Sequence, residues 1–152
     1  MQRRTAINAQ AMWNAFVTHC PEAADAPWDA YAFSDAPDEL AALVLAGRKR
    51  ATASAHRLYE VVGEPVPVAG VYSVLLNSQE EAVCILHTHK VTLIPYHAVG
   101  TDFAALEGEG DLSLDWWRKV HEPFFREGFK RADLSFTEDE LIVCEEFEVV
   151  YA

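Results

Sequence analysis

Gly47-Arg48-Lys49-Arg50-Ala51-Thr52-Ala53-Ser54 is the stretch on which the fold reading turns. It places a helix-ending glycine, three adjacent cations and two hydroxyls within eight residues. Upstream, residues 37–46 carry Leu40, Leu43 and Val44 as a helical stripe, with Ser34 or Asp35 as the expected cap and Gly47 just past the end. Downstream, residues 51–59 read equally as a short strand or a helical turn. Gly63-Glu64-Pro65-Val66-Pro67 is a turn, residues 70–76 a strand, and Asn77-Ser78-Gln79 a hairpin turn. Residues 82–96 form the longest strand. Val83, Ile85, His87, His89, Val91 and Leu93 share one face at period two, and the length predicts a bend near residues 88–90.

A short helix is expected over 99–106. A longer one follows, capped by Asp111 or Ser113 and running through Trp116, Trp117, Val120 and Phe124, with Pro123 kinking or shortening it. A strand over 141–151 closes the chain. At the other end, residues 5–19 predict a helix with Trp13, Phe16 and Val17 on one side, followed by a loop containing Pro21, Pro27, Trp28 and Pro37. Strands and helices do not alternate as strand–helix–strand crossovers. The fold class is therefore α+β, built on a small mixed or antiparallel β-barrel flanked by helices. Residues 1–152 read as one domain, with residues 1–35 as an N-terminal helix and loop packed on the barrel.

Composition bounds the function. Of 152 residues, 51% are hydrophobic and 11% aromatic, with seven glycines and seven prolines, which excludes a disordered or collagen-like chain. No apolar run approaches the ~18 residues of a membrane span. Met1-Gln2-Arg3-Arg4 is followed by no apolar segment of the secretory type. Cys20, Cys84 and Cys144 are odd in number and widely spaced, which suits a reducing compartment, and the expected location is the cytoplasm. The net charge is −12, and more than half of the acidic residues lie beyond position 100. Such a surface repels duplex DNA and anionic lipid, so neither is an expected partner.

Four groups can carry chemistry. The basic stretch around Lys49 suits an anion or a carbonyl. Glu107-Gly108-Glu109-Gly110-Asp111 brings three carboxylates together on a backbone that glycines allow close to a ligand. It lacks the twelve-residue pattern of a calcium loop. His87-Thr88-His89 puts two imidazoles on one strand face without a carboxylate or cysteine in register, which reads as half-buried surface or pocket lining. Trp116 and Trp117 point about 100° apart, so one can wall a pocket. No metal or other cofactor is expected.

In order along the chain these groups gain meaning. The Gly47–Ser54 string, Gly63-Glu64, Gly70-Val71-Tyr72-Ser73-Val74, Glu107 to Leu114 with Trp117-Arg118 and His121, and Val143-Cys144-Glu145 with Phe147 resemble the ASCH domain family of the PUA-like superfamily, in its longer bacterial branch. The resemblance covers nearly the whole chain. It implies a small β-barrel with a cleft that holds the lysine segment and the acidic segment. PUA-like domains commonly meet RNA or modified bases. A shorter branch hydrolyses the amide of N4-acetylcytidine with a lysine, a threonine three residues later and a glutamate, and Lys49, Thr52 and Glu109 match that set.

The leading expectation is an amidohydrolase acting on N4-acylated cytidine, with Thr52 as nucleophile, Lys49 as base and Glu109 as proton relay. Arg48, Ser54, Tyr72, Glu107, Trp117 and His121 are the expected substrate contacts. A threonine hydroxyl needs a base, and Lys49 serves only if neutral. Arg48 and Arg50 favour neutrality and Glu109 opposes it, so Lys49 is alternatively an oxyanion donor or half of a structural ion pair. The other readings are a metal-independent ribonuclease using Lys49, Arg48 and His121, and a non-catalytic module for RNA or a modified nucleotide. The expected partner is a nucleoside or short single-stranded RNA. The oligomeric state stays open, with a homodimer as one candidate.

Overall fold

The computed structural model describes residues 8–152. Helix α1, Ala9–His19, starts where the Asn8 side chain accepts a hydrogen bond from the Ala11 N–H. The expected helical residues 5–7 lie outside the described part. Trp13 and Phe16 of α1 pack with Met12 against Val74 and Ile85 of the sheet. The next segment differs from expectation. Trp28–Ala32 is a strand, β1, not a loop. It pairs in parallel with β3, Tyr72–Leu76, so it owes its conformation to a partner about forty residues away.

Helix α2, Pro37–Leu45, is capped neither by Ser34 nor by Asp35. Ala36 occupies the cap in the left-handed region at φ 45°, ψ 53°. Pro37 disfavours the right-handed helical region for the residue before it, which is the physical reason for the difference. After Gly47, at φ 76°, both the Arg48 and Lys49 N–H groups donate to Leu43 O. The ambiguous stretch resolves into both readings in turn, strand β2 over Ala51–Ala55 and helix α3 over His56–Val62.

Strand β4 is Ala82–Pro95 and β5 is Leu141–Tyr151. The strand order is β1-β3-β4-β5-β2, with every pair antiparallel except β1 with β3. The sheet curls into a half-barrel, leaving β1 and β2 as its two edges. The bend predicted in the long strand is a register shift between Thr88 and Lys90. A second shift, between Ile85 and Leu86, breaks the single alternating face. His87 stacks on Tyr72 with ring centres 4.5 Å apart, while His89 is exposed.

Helices α4, Thr101–Glu107, and α5, Leu114–Arg131, cover the other side. Trp117, Phe125 and Phe129 of α5 pack with Phe103 and Ala104 of α4 against Ala51, Ala55, Ile142 and Cys144. Ser113 caps α5 by accepting from the Trp116 N–H, and Asp111 accepts in turn from the Ser113 N–H. Pro123 does not shorten α5, which runs 18 residues through it. Pro123 and Lys119, the residue whose carbonyl loses its partner, are both exposed, so the lost bond falls on the solvent side of the helix, where it is least costly. Among the described residues, no helix is long and apolar enough to cross a membrane.

The strain at Ala36 is testable. Ala36→Gly removes the Cβ that disfavours the left-handed region, at some cost in unfolded-state entropy. It should stabilise the protein by about 0.5–1 kcal/mol net, read as a melting temperature raised by about 1–3 °C. A lowered melting temperature would show that the cap is unstrained.

Candidate active site

The cationic triplet divides by exposure. Arg48 and Arg50 are exposed, whereas Lys49 is only 2% exposed. Its side chain enters the space between β2, α4 and α5, beneath the acidic segment. The approach depends on Gly108, the left-handed residue ending α4 at φ 71°. A Cβ there would stand 2.0 Å from Arg48 O and 2.8 Å from Lys49 Cα. The Arg50 N–H donates to Leu106 O at 2.8 Å, locking the same two segments together. Gly110, at φ 58°, lies under the Trp116 ring in similar fashion.

Lys49 Nζ donates to Glu107 Oε1 at 2.8 Å, to Glu109 Oε2 at 2.8 Å and to Ala51 O at 2.9 Å. The Glu107 carbonyl oxygen is a fourth, longer contact at 3.4 Å, so the three ammonium hydrogens lie among four acceptors. Glu107, 2% exposed, uses its second oxygen to accept from Trp117 Nε1 at 2.6 Å and faces His121 Nε2 at 3.0 Å. His121 Nδ1 lies 2.9 Å from Trp117 O. Both ring nitrogens therefore face oxygens that only accept, a setting that favours the doubly protonated ring. Lys49 and the two carboxylates thus form one ion cluster, with His121 against its inner acid.

The electrostatics follow from this packing. Burial by itself pushes the Glu107 carboxyl up strongly. The Lys49 charge, with the His121 hydrogen bond and charge, outweighs it and holds the group down at about 2. For His121, burial works against protonation, but the hydrogen bond to Glu107 and its charge win, and the ring titrates above its usual value. Glu107, Glu109 and His121 bring three ligand atoms within 4.8 Å of one another, a spacing a metal ion uses. The Lys49 ammonium, 2.8 Å from both carboxylates, already stands as their cation, so the set does not fit a second one.

Residues 29–151 match the family model for the ASCH domain. The chain belongs to the ASCH domain family. It is similar to the crystal structure of an ASCH domain from Lactobacillus crispatus JV V101, at 34% identity and a TM-score of 0.89, with 94% of each chain covered. It is also similar to protein EF3133 from Enterococcus faecalis V583, at 34% identity and a TM-score of 0.83, covering 95% of this chain and 93% of that one. No curated protein matches the sequence. The half-barrel is the PUA-like fold of these domains, a fold of RNA-binding type.

Over the ion cluster the ASCH domain opens a cavity of about 110 Å³, lined by Lys49, Thr52, Glu107, Glu109, His121 and, among apolar groups, Phe33 and Phe124. This is smaller than the ~300–1,000 Å³ of typical ligand pockets, and it is open on one side, so it has room for one small group and leaves the rest of a ligand outside. The Phe33 ring lies beneath Lys49 Nζ, its centre 5.2 Å away, and Phe124 is exposed at the rim. A larger cavity of about 420 Å³, lined by His56, Arg57, Glu60, Asp139 and Glu140, shares no residue with it.

The expected site residues separate accordingly. Lys49, Thr52, Glu107, Glu109 and His121 converge on one cavity. Thr52 makes no hydrogen bond to Lys49 or to either carboxylate. Lys49 Nζ stands as a donor to both carboxylates, which suits the oxyanion-donor and ion-pair readings of this residue better than the base reading. Trp117 is not a pocket wall, because it is 1% exposed and serves as a donor to Glu107 while stacking on His121 at 4.3 Å. Tyr72 belongs to the α1 cluster beside Trp13 and Phe16, on another part of the sheet. Ser54 pairs with the Tyr59 hydroxyl at 2.8 Å. Arg48 is exposed and outside the cavity lining. Phe33 and Phe124 were missed. Phe124 had a signal, since it follows Trp117 and His121 on one face of α5, but Phe33 had none once β1 was read as a loop.

Glu107 carries the cluster's stability. Its lowered folded value means its contribution is complete above about pH 4.5 and is lost as pH falls toward about 2. His121, raised above 6.5, contributes fully below that pH and less as pH climbs through its folded value. Glu107→Gln leaves Lys49 and His121 short of an anion, and should cost about 3–5 kcal/mol at neutral pH. Chemical denaturation from pH 2 to 8 should also show a flatter acid limb in the variant than in the parent. Equal stability at pH 7 would mean that Glu107 is not the cluster's anchor.

Proposed function

We propose that this ASCH domain is an amide hydrolase of N4-acylated cytosine nucleosides, with Thr52 as the nucleophile. The observation that carries the reading is the cavity itself. Lys49, Thr52 and Glu109 line one small, half-open cavity with room for a single group, and Phe33 and Phe124 belong to the same lining. An acyl group with its amide fits such a chamber, and the base can lie against an aromatic ring, a contact worth ~1–3 kcal/mol.

Glu109 is the yielding member of the cluster. Its side chain is 13% exposed against 2% for Glu107, so a ligand can displace it from Lys49 without unpairing the inner carboxylate. Lys49 then gains a free N–H for the oxygen that develops negative charge as Thr52 attacks the acyl carbon. In this scheme Lys49 is the oxyanion donor, and Glu109 gates it rather than carrying a proton. Glu107, His121 and Trp117 hold Lys49 in place.

The net charge of −12 supports a nucleoside or short single strand as partner over long RNA, because few cations are free to neutralise phosphates. The parent protein should release cytidine from N4-acetylcytidine. Thr52→Val keeps the β-branched shape and deletes the hydroxyl, so it should melt like the parent and lose turnover by roughly 10³-fold or more. Parental turnover in a folded Thr52→Val protein would remove Thr52 from the mechanism. A parent that releases no cytidine but holds RNA tightly at high salt would make the domain a binding module.

A further inference from the structure

With Lys49 fully engaged, the attacking hydroxyl lacks a base, and the strand register supplies a candidate. In the β2–β5 ladder Thr52 stands directly opposite Glu145. Directly opposed residues of an antiparallel pair point to the same face, with Cβ atoms about 4.5–5.5 Å apart. On its other side Glu145 faces Val91 of β4, which offers no polar group. Among the described residues the Glu145 carboxylate has no hydrogen bond and no ion pair. Glu145 is half-buried, so its charge loses part of its hydration without a protein donor in return.

Its surroundings are those of a proton acceptor. Tyr31 from β1 and Tyr59 from α3 both feel the Glu145 charge, which helps to push their phenols up. Tyr59 is tied to Ser54, two residues from Thr52 on the same strand face. Burial, with a smaller contribution from the Asp29 charge on β1, raises the Glu145 carboxyl to about 7. The titratable groups facing it are thus Asp29 and Tyr31 from β1 and Tyr59 from α3, none of them a cation.

We propose that Glu145 is the general base that takes the proton of Thr52 Oγ, a catalytic role resting on the hydrolase reading above. Thr52 Oγ bonds to the acyl carbon as its proton passes to the Glu145 carboxylate, and the carbonyl electron pair moves onto oxygen. When that pair returns, the carbon–nitrogen bond breaks, and the proton goes from Glu145 to the leaving exocyclic nitrogen, releasing cytidine. Water then attacks the acyl-threonine, giving one proton to Glu145, which returns it to Thr52 Oγ as the carboxylic acid departs.

Steady-state release of cytidine from N4-acetylcytidine tests this on the full chain from pH 5 to 9, beside a melting curve. Glu145→Gln should lower kcat by about 10²–10⁴-fold with KM little changed. It should melt at or above the parental temperature, because an unpaired carboxylate has been neutralised. The parent's kcat should rise with pH through about 7. Asp29→Asn, which removes the charge acting on Glu145, should move that limb to lower pH and keep the plateau. A folded, active parent whose Glu145→Gln variant keeps parental kcat overturns the Glu145 assignment alone, as does a limb unmoved in Asp29→Asn. A parent that releases no cytidine overturns the hydrolase reading and this assignment with it.

Discussion

A lysine ammonium in the interior of a protein is tolerated only if every one of its hydrogens finds an acceptor and its charge finds a counter-charge. Lys49 meets both conditions through oxygens from two other parts of the chain, the Glu107–Glu109 segment and the start of β2. The rest of the site can be understood as what this requirement demands. Gly108 is needed because the acidic segment must touch the Arg48–Lys49 backbone. Trp117 and His121 are needed because Glu107, having answered Lys49 with one oxygen, must satisfy the other. The result ties α4, α5 and the entry to β2 into one rigid corner of the half-barrel.

That corner presents an asymmetric pair of carboxylates. Glu107 is closed in by three donors and behaves as fixed structure, whereas Glu109 has one donor and a path to solvent. The same ammonium can thus be held permanently by one acid and intermittently by the other. Across the adjoining strand pair, Glu145 follows the opposite logic. It is set into the sheet without a donor, and its charge is disfavoured where that of Glu107 is stabilised. Two environments within one domain therefore drive chemically identical groups toward opposite protonation behaviour.

Much of this was legible in the sequence, where local chemistry decides the outcome. Gly47 ends α2, Ser113 caps α5, and the bend of the long strand falls between Thr88 and Lys90. The convergence of Lys49 with the acidic segment was legible because a family resemblance put the two strings in order, and glycines on either side of Glu109 announced close backbone contact. The rest depended on distant partners. β1 is an edge strand with mostly exposed residues and no clean alternation, and only its parallel ladder with β3 makes it a strand. Losing β1 hid Phe33, which lies under Lys49. Tyr72 was placed at the site because sequence shows that a residue lies on a strand, not which end of a curled sheet it faces. Sequence alone leaves Lys49 open between base, oxyanion donor and ion pair, because only the folded chain shows how many oxygens surround its nitrogen.

The separation along the chain between Lys49 and its two acids has a kinetic meaning. Between them run β2, α3 and the whole β3–β4 hairpin, so the loop that must close spans 58 residues to Glu107 and 60 to Glu109. Closing it costs entropy that no local contact returns, and sequestering the ammonium before its acids arrive is strongly unfavourable. Assembly therefore has a direction. The expected order is that the hairpin and the helices form while Lys49 is still hydrated, with the interior beneath the acidic segment drying as the corner locks.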